Sequence, residues 1–164
     1  MDFTIRRAEP GEYARIGAMT VDVYIGEGLV APDNPYGEQL RSVEIRAREA
    51  EVLVAADPDG TLLGAVTYAG DGGPWAEVAR ADEAEFRMLV VAAAARRRGV
   101  GEALVRACLT RAREAGHRGV ALSTEARMTS AHRIYERLGF LRDPSRDWSP
   151  RPGVDLLVYA LAFS

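Results

Sequence analysis

An apolar run from Phe86 to Val91 is followed by Arg96-Arg97-Arg98-Gly99-Val100-Gly101 and then by a long amphipathic segment. A strand, a glycine-containing turn and a helix start in that order constrain the fold more than any other feature of the chain, because together they make an anion site. The first N–H groups of a helix have no intrahelical acceptor, and they point along the axis with the positive end of its dipole behind them. Gly99 and Gly101 let the backbone come close to a bulky ligand, while the three arginines raise the local potential. A phosphate group is the natural guest.

Lysine is absent and all 21 basic residues are arginine, which removes several phosphate-binding classes. A phosphate-loop nucleotidase needs its G-K-[ST], and a pyridoxal enzyme needs a Schiff-base lysine. A dinucleotide fingerprint needs Gly or Ala three residues past the second glycine, where this chain has Leu104. A net charge of −3 gives no overall basic field, so neither nucleic acid nor an anionic membrane is expected as a partner.

With 164 residues, 48% of them hydrophobic, the chain suits a single domain over 1–164 with a real core. No apolar run approaches the ~18 residues of a membrane span and no signal segment opens the chain, so a cytoplasmic protein is expected. The single cysteine, Cys108, cannot form an internal disulfide and reads as a core residue. No Cys/His cluster has metal-ligand spacing, and no metal is expected.

Hydrophobic periodicity predicts a strand at 3–6, a helix carrying Tyr13, Ile16 and Met19, and a second helix over 36–49. Strands at 52–56 and 62–68 flank Asp57-Pro58-Asp59-Gly60 as a hairpin. An aperiodic linker over 69–84 leads to a strand at 85–91, a helix over 101–115 stopped by Gly116, and a strand at 120–124. Thr129 or Ser130 is the expected cap of a short helix carrying Ala131, Ile134, Tyr135 and Leu138. A strand begins at Phe140, a Pro-rich loop over 143–153 contains Trp148, and a last strand covers 154–161. The order implies an α/β fold with a mixed sheet and helices on both faces.

Three segments resemble one family in order and spacing. They are Glu85-Phe86-Arg87-Met88-Leu89-Val90-Val91, then Arg96-x-x-Gly99-x-Gly101, then Ala131-x-x-Ile134-Tyr135-Glu136-Arg137-Leu138-Gly139-Phe140, and they resemble the GCN5-related N-acetyltransferases (GNAT). The resemblance implies a mostly antiparallel sheet of about seven strands with the fourth and fifth splayed apart, and acetyl-CoA as cosubstrate. It places the pantetheine arm along Leu89, Val90 and Val91, and the diphosphate on the turn of Arg96, Arg97, Arg98, Gly99, Val100, Gly101 and Glu102, with Ala131 and Tyr135 of the last helix also at the cofactor. Two departures stand out. Ala92 to Ala95 replace a common proline, and Met128 stands where some members have an asparagine that contacts coenzyme A.

The resemblance also implies direct attack of an acceptor amine on the thioester. Tyr135 then has the position of the acid that protonates the leaving thiolate, and Glu85 is the candidate base, acting through water. The alternatives for these two are an aromatic filling a helix face and a carboxylate in an ion pair. His117 and His132 read as surface residues. Tyr24, Tyr36, Trp75 and Trp148 are candidates for an aromatic acceptor pocket or for plain loop anchors, and Glu77, Asp82, Glu83 and Glu85 would favour a cationic amine. A small-molecule amine is the expected acceptor. A peptide or protein N-terminus, or a non-catalytic acyl-CoA sensor, remain the other readings. Members of the family often dimerise, and Leu156 to Leu161 is the candidate edge for a homodimer.

Overall fold

The structure, a computed structural model, describes residues 2–164. In chain order the elements are β1 (Thr4–Arg7), α1 (Tyr13–Gly26), α2 (Tyr36–Arg41), α3 (Val43–Glu49), β2 (Glu51–Ala56), β3 (Leu62–Ala69), β4 (Glu83–Val91), α4 (Val100–Glu114), β5 (Gly119–Thr124), α5 (Thr129–Arg137), β6 (Leu141–Arg142), β7 (Trp148–Arg151) and β8 (Val154–Ala162). The strands follow the order β1-β2-β3-β4-β5-β8-β6, with β7 also pairing β8. The sheet is mostly antiparallel, and β4 and β5 run parallel. Eight strands replace the expected seven or so, because β7 forms inside the segment read as a Pro-rich loop. The chain divides into two compact units, the residues up to Tyr68 with Met88–Ala107, and Ala69–Arg87 with Cys108–Ser164.

In the first unit β2 and β3 are buried along almost their whole length, which is why they read as continuous apolar runs rather than alternating ones. Their hairpin closes through Asp57 N–H to Thr61 O at 2.9 Å and Gly60 N–H to Asp57 O at 2.9 Å. The helix expected over 36–49 is interrupted at Ser42 (φ −83°, ψ 65°). Ser42 Oγ donates to Glu38 O at 2.6 Å, so its hydroxyl competes for the helical carbonyls. The fully buried Arg46 guanidinium donates to Leu40 O at 3.1 Å and to Gln39 O, and satisfies the carbonyls that the break leaves over.

Gly64 is a tight point of this unit. A Cβ there would lie 2.7 Å from Val90 O, 2.9 Å from Val100 Cγ1 and 3.1 Å from Leu104 Cδ1. Only glycine lets β3 pass so close to β4 and to the first turn of α4.

In the second unit β8 is an interior strand. It pairs β5 from Gly119↔Ala162 to Thr124↔Leu157 on one side, and β6 and β7 on the other. The expectation that Leu156 to Leu161 is a free edge is therefore corrected: Trp148↔Leu156 and Leu141↔Ala160 cover it. The core of this unit is aromatic. Phe86, Tyr135, Phe140 and Tyr159 are all buried, with Tyr135 ring centroids 5.8 Å from Phe86, Phe140 and Tyr159.

Candidate active site

The ladder between β4 and β5 covers Glu83–Glu85 and Gly119–Ala121 and stops there. β4 continues to Val91, and Met88, three residues beyond the last pair, adopts φ 56°. Positive φ is rare for a long side chain, and in a strand it marks a bulge that turns backbone groups away from ladder directions. Leu89, Val90 and Val91 follow immediately, with Val90 buried and its neighbours half-buried.

In the first unit the turn after β4 carries two more left-handed residues, Arg97 (φ 68°) and Gly99 (φ 80°). Among the described residues, the N–H groups of Arg97 through Gly101 donate to no backbone carbonyl, and the turn's first bond into α4 is Ala103 N–H to Gly99 O at 3.0 Å. Alternating hands of backbone aim successive N–H groups into one concavity, here at the start of the 15-residue α4. A Cβ on Gly99 would meet nothing within 4 Å, so the turn is open at Gly99.

The three arginines of the turn have different partners. Arg96 pairs with Glu27 at 2.6 Å, and Arg98 pairs with Asp57 at 2.8 Å and Asp2 at 3.0 Å. Arg97 is exposed, with no ion pair among the described residues. The sequence suggested three equivalent cations at the anion site; two of them are held by carboxylates of this unit, which also brace the turn on the β2–β3 hairpin and the end of α1.

In the second unit the two candidate catalytic residues sit in different surroundings. Successive residues of a strand face opposite sides, so Glu85 and Arg87 share one face of β4 and Phe86, with Tyr135 against it, takes the other. Tyr135 is 3% exposed, and burial pushes its phenol above the ordinary value, which keeps it protonated at neutral pH. Glu85 is 1% exposed. Its Oε1 accepts the N–H groups of Glu77 at 2.8 Å, Val78 at 2.8 Å and Ala79 at 2.9 Å. Burial raises its pKa against the opposing pull of those three donors and of Arg87.

The other acidic residues near β4 are also engaged. Arg87 lies 2.9 Å from Glu77 and 5.3 Å over the Trp75 ring. Arg146 binds Glu83 at 2.7 Å and donates to Val78 O at 2.6 Å. Asp82 stays exposed. Trp148 Nε1–H donates to Ser123 Oγ at 2.9 Å, while in the first unit the Tyr24 and Tyr36 rings meet at 6.5 Å, tilted by 55°.

A family model for GNAT acetyltransferases matches residues 23–140. The chain belongs to the GNAT family of acetyltransferases. Solved GNAT structures resemble it along nearly its whole length. A GCN5-related N-acetyltransferase from Kribbella flavida shares 25% identity over 99% of this chain and 98% of that one, with a TM-score of 0.74. A GNAT acetyltransferase from Brucella melitensis in complex with acetyl-CoA shares 24% over 99% and 88%, TM-score 0.63, and the PaiA N-acetyltransferase from Thermoplasma acidophilum in complex with coenzyme A shares 15% over 99% and 100%, TM-score 0.76. The last two speak for the fold alone. No curated protein matches the sequence.

Within this GNAT chain, α5 begins at Thr129 with Met128 at the cap, and no side chain caps it. This corrects the expectation for Thr129 or Ser130: the chain enters the helix one residue early, so both fall inside it. Ala131 is half-buried in the first turn. His132 is not a plain surface residue either. Its Nε2 lies 3.2 Å from Thr124 Oγ1, and its ring packs 5.3 Å from Tyr159. Its spacing three residues before Tyr135, on the same helix face, was the available signal. Arg146, by contrast, gave no sequence signal, since its partners are 63 and 68 residues away.

Proposed function

We propose that this chain is an acetyl-CoA-dependent N-acetyltransferase acting on the primary amine of a small molecule. The observation that carries the cofactor reading is the row of N–H groups from Arg97 to Gly101 that lack backbone acceptors, at a turn beside an exposed Arg97. That donor set fits a diphosphate. The backbone released by the bulge at Met88, over Leu89 to Val91, fits an extended amide-bearing arm. When bound, acetyl-CoA supplies an activated thioester whose sulfur leaves as a thiolate.

Tyr135 is the proton donor in this proposal. A buried phenol that stays neutral is in the state a donor requires, and it delivers its proton only to a stronger base than water, such as a desolvated thiolate. The acceptor's charge is less constrained than the acidic composition of 77–85 suggested. Glu77, Glu83 and Glu85 are each occupied by arginine or backbone donors, which leaves Asp82 as the exposed carboxylate of that group with no ion pair among the described residues. The proposed acceptor is therefore a small amine chosen by fit more than by bulk charge.

Calorimetric titration with acetyl-CoA and coenzyme A, followed by a thiol-release screen over cationic, zwitterionic and neutral amines, tests the reading. Micromolar binding with thiol release on a small amine is the expected result. Binding without release on any amine, but with release on peptide N-termini, would move the acceptor to peptides. Failure to bind either nucleotide would overturn the proposal.

A further inference from the structure

The segment between β3 and β4 has no regular structure, yet its centre is held from three directions within the second unit. Glu85 Oε1 takes the consecutive N–H groups of Glu77, Val78 and Ala79. Arg146 takes Val78 O at 2.6 Å while its guanidinium also binds Glu83 at 2.7 Å. Arg87, on the same face of β4 as Glu85, holds the Glu77 carboxylate at 2.9 Å and covers Trp75 at 5.3 Å. Glu83, Glu85 and Arg146 are mostly removed from solvent, with side-chain exposures of 13% and 10% for Glu83 and Arg146 and 1% residue exposure for Glu85. Loops of this length usually find their partners in water; this one finds both faces of the Val78 peptide bonded inside the protein.

We propose that Glu85 and Arg146 are positioning residues that fix the backbone of 77–79, and through it Trp75 and Glu77, as a preformed wall of the acceptor site. This rests on the acetyltransferase reading above and on the sequence reading that makes Trp75 a candidate for the acceptor pocket and Glu77 one of the acids beside it. Three converging N–H donors are a strong attachment for a carboxylate and a poor setting for a base. Glu85 Oε1 is already coordinated by three donors, and neutralising the carboxylate would weaken the attachment. Arg146 is suited to its part because its planar fork reaches a carboxylate and a carbonyl together.

The test uses Glu85→Gln and Arg146→Gln in the full chain. Amide hydrogen exchange at Glu77, Val78 and Ala79, measured without ligand, reads the attachment directly. Both variants are expected to exchange there at least about tenfold faster, with protection elsewhere retained. In steady state with the best amine of the screen, the acceptor KM is expected to rise about tenfold while kcat stays within about threefold. The acidic limb of the pH profile is expected to persist in Glu85→Gln. Acetyl-CoA affinity, read by calorimetry, stays unchanged.

Loss of the acidic limb with acceptor KM unchanged would make Glu85 the base and overturn the proposal, as would unaltered exchange at the three amides. If Glu85→Gln does not fold, Arg146→Gln decides alone, because it releases the Val78 carbonyl without replacing any residue of β4. Absence of acetyl-CoA binding by the unaltered protein would sink the acetyltransferase reading, and the positioning role with it. In that case the exchange data would still report whether the loop attachment exists.

Discussion

The guanidinium of Arg96 lies 2.6 Å from the carboxylate of Glu27, 69 residues earlier in the chain, with both side chains about half exposed. Arg96 thus holds an internal anion at the edge of the turn proposed for the diphosphate, and a ligand must compete with it. An exposed pair is worth about 0.2–1 kcal/mol, so exchange is easy. Glu27→Gln should tighten acetyl-CoA binding by about 1.5- to 5-fold. Calorimetry at low and moderate salt checks this, and unchanged affinity would show that the pair and the ligand do not meet.

Tyr135→Phe removes one oxygen from the aromatic core of the second unit and leaves its ring contacts in place. Turnover should fall about 10²-fold, with acetyl-CoA affinity and thermal midpoint nearly unchanged. A variant with full turnover would make Tyr135 a packing residue.

His132 is expected to titrate below the ordinary imidazole value. Burial against Thr124, Tyr135 and Tyr159 penalises its charged form, and Arg142 adds to this, while Glu125 and Glu136 oppose it. The unfolded chain therefore binds the proton more readily, so stability should decline as pH drops through and below about 6.5. An imidazole resonance followed by NMR through that range gives the midpoint, and a value above 6.5 contradicts the packing argument.

Glu12, 5% exposed, accepts two bonds from Arg6 at 2.8 Å and the Glu9 N–H at 2.9 Å. The Arg6 bonds foremost lower its carboxyl from 4.5 to about 2. Its contribution is complete above pH 4.5 and vanishes as pH falls toward 2, on the order of 2 kcal/mol after allowance for the partly exposed Arg6. Denaturant titrations of Glu12→Gln should show that loss already at pH 7, with a flatter profile below 4.5.

The parts of the fold legible in the sequence were those encoded locally. The 52–56 and 62–68 strands, the turn at Asp57–Gly60, and the helix ending before Gly116 carry their periodicity and their stop signals within a few residues. The turn from Arg96 into α4 was legible for the same reason. What escaped depended on distant partners. Ser42 splits a helix whose apolar spacing runs straight through it, because Arg46 can satisfy the freed carbonyls. Trp148 to Arg151 becomes a strand because β8 offers an unpaired side, and no alternation marks it in advance. The identity of each carboxylate's partner, for Glu83, Glu85 and Glu77 alike, was likewise invisible: composition records how many acids there are, not which are already spoken for.

Position 64 shows how little freedom the cofactor half of the molecule has. With Val90 O at 2.7 Å and the first turn of α4 at 2.9 Å from where a methyl group would stand, even alanine would push the helix outward, and its N–H groups would move with it. Overpacking of this kind costs about 1–3 kcal/mol, yet its larger effect would be to detune the turn proposed for the diphosphate. Drift in this lineage should therefore be tolerated around the acceptor long before it is tolerated at this one hydrogen.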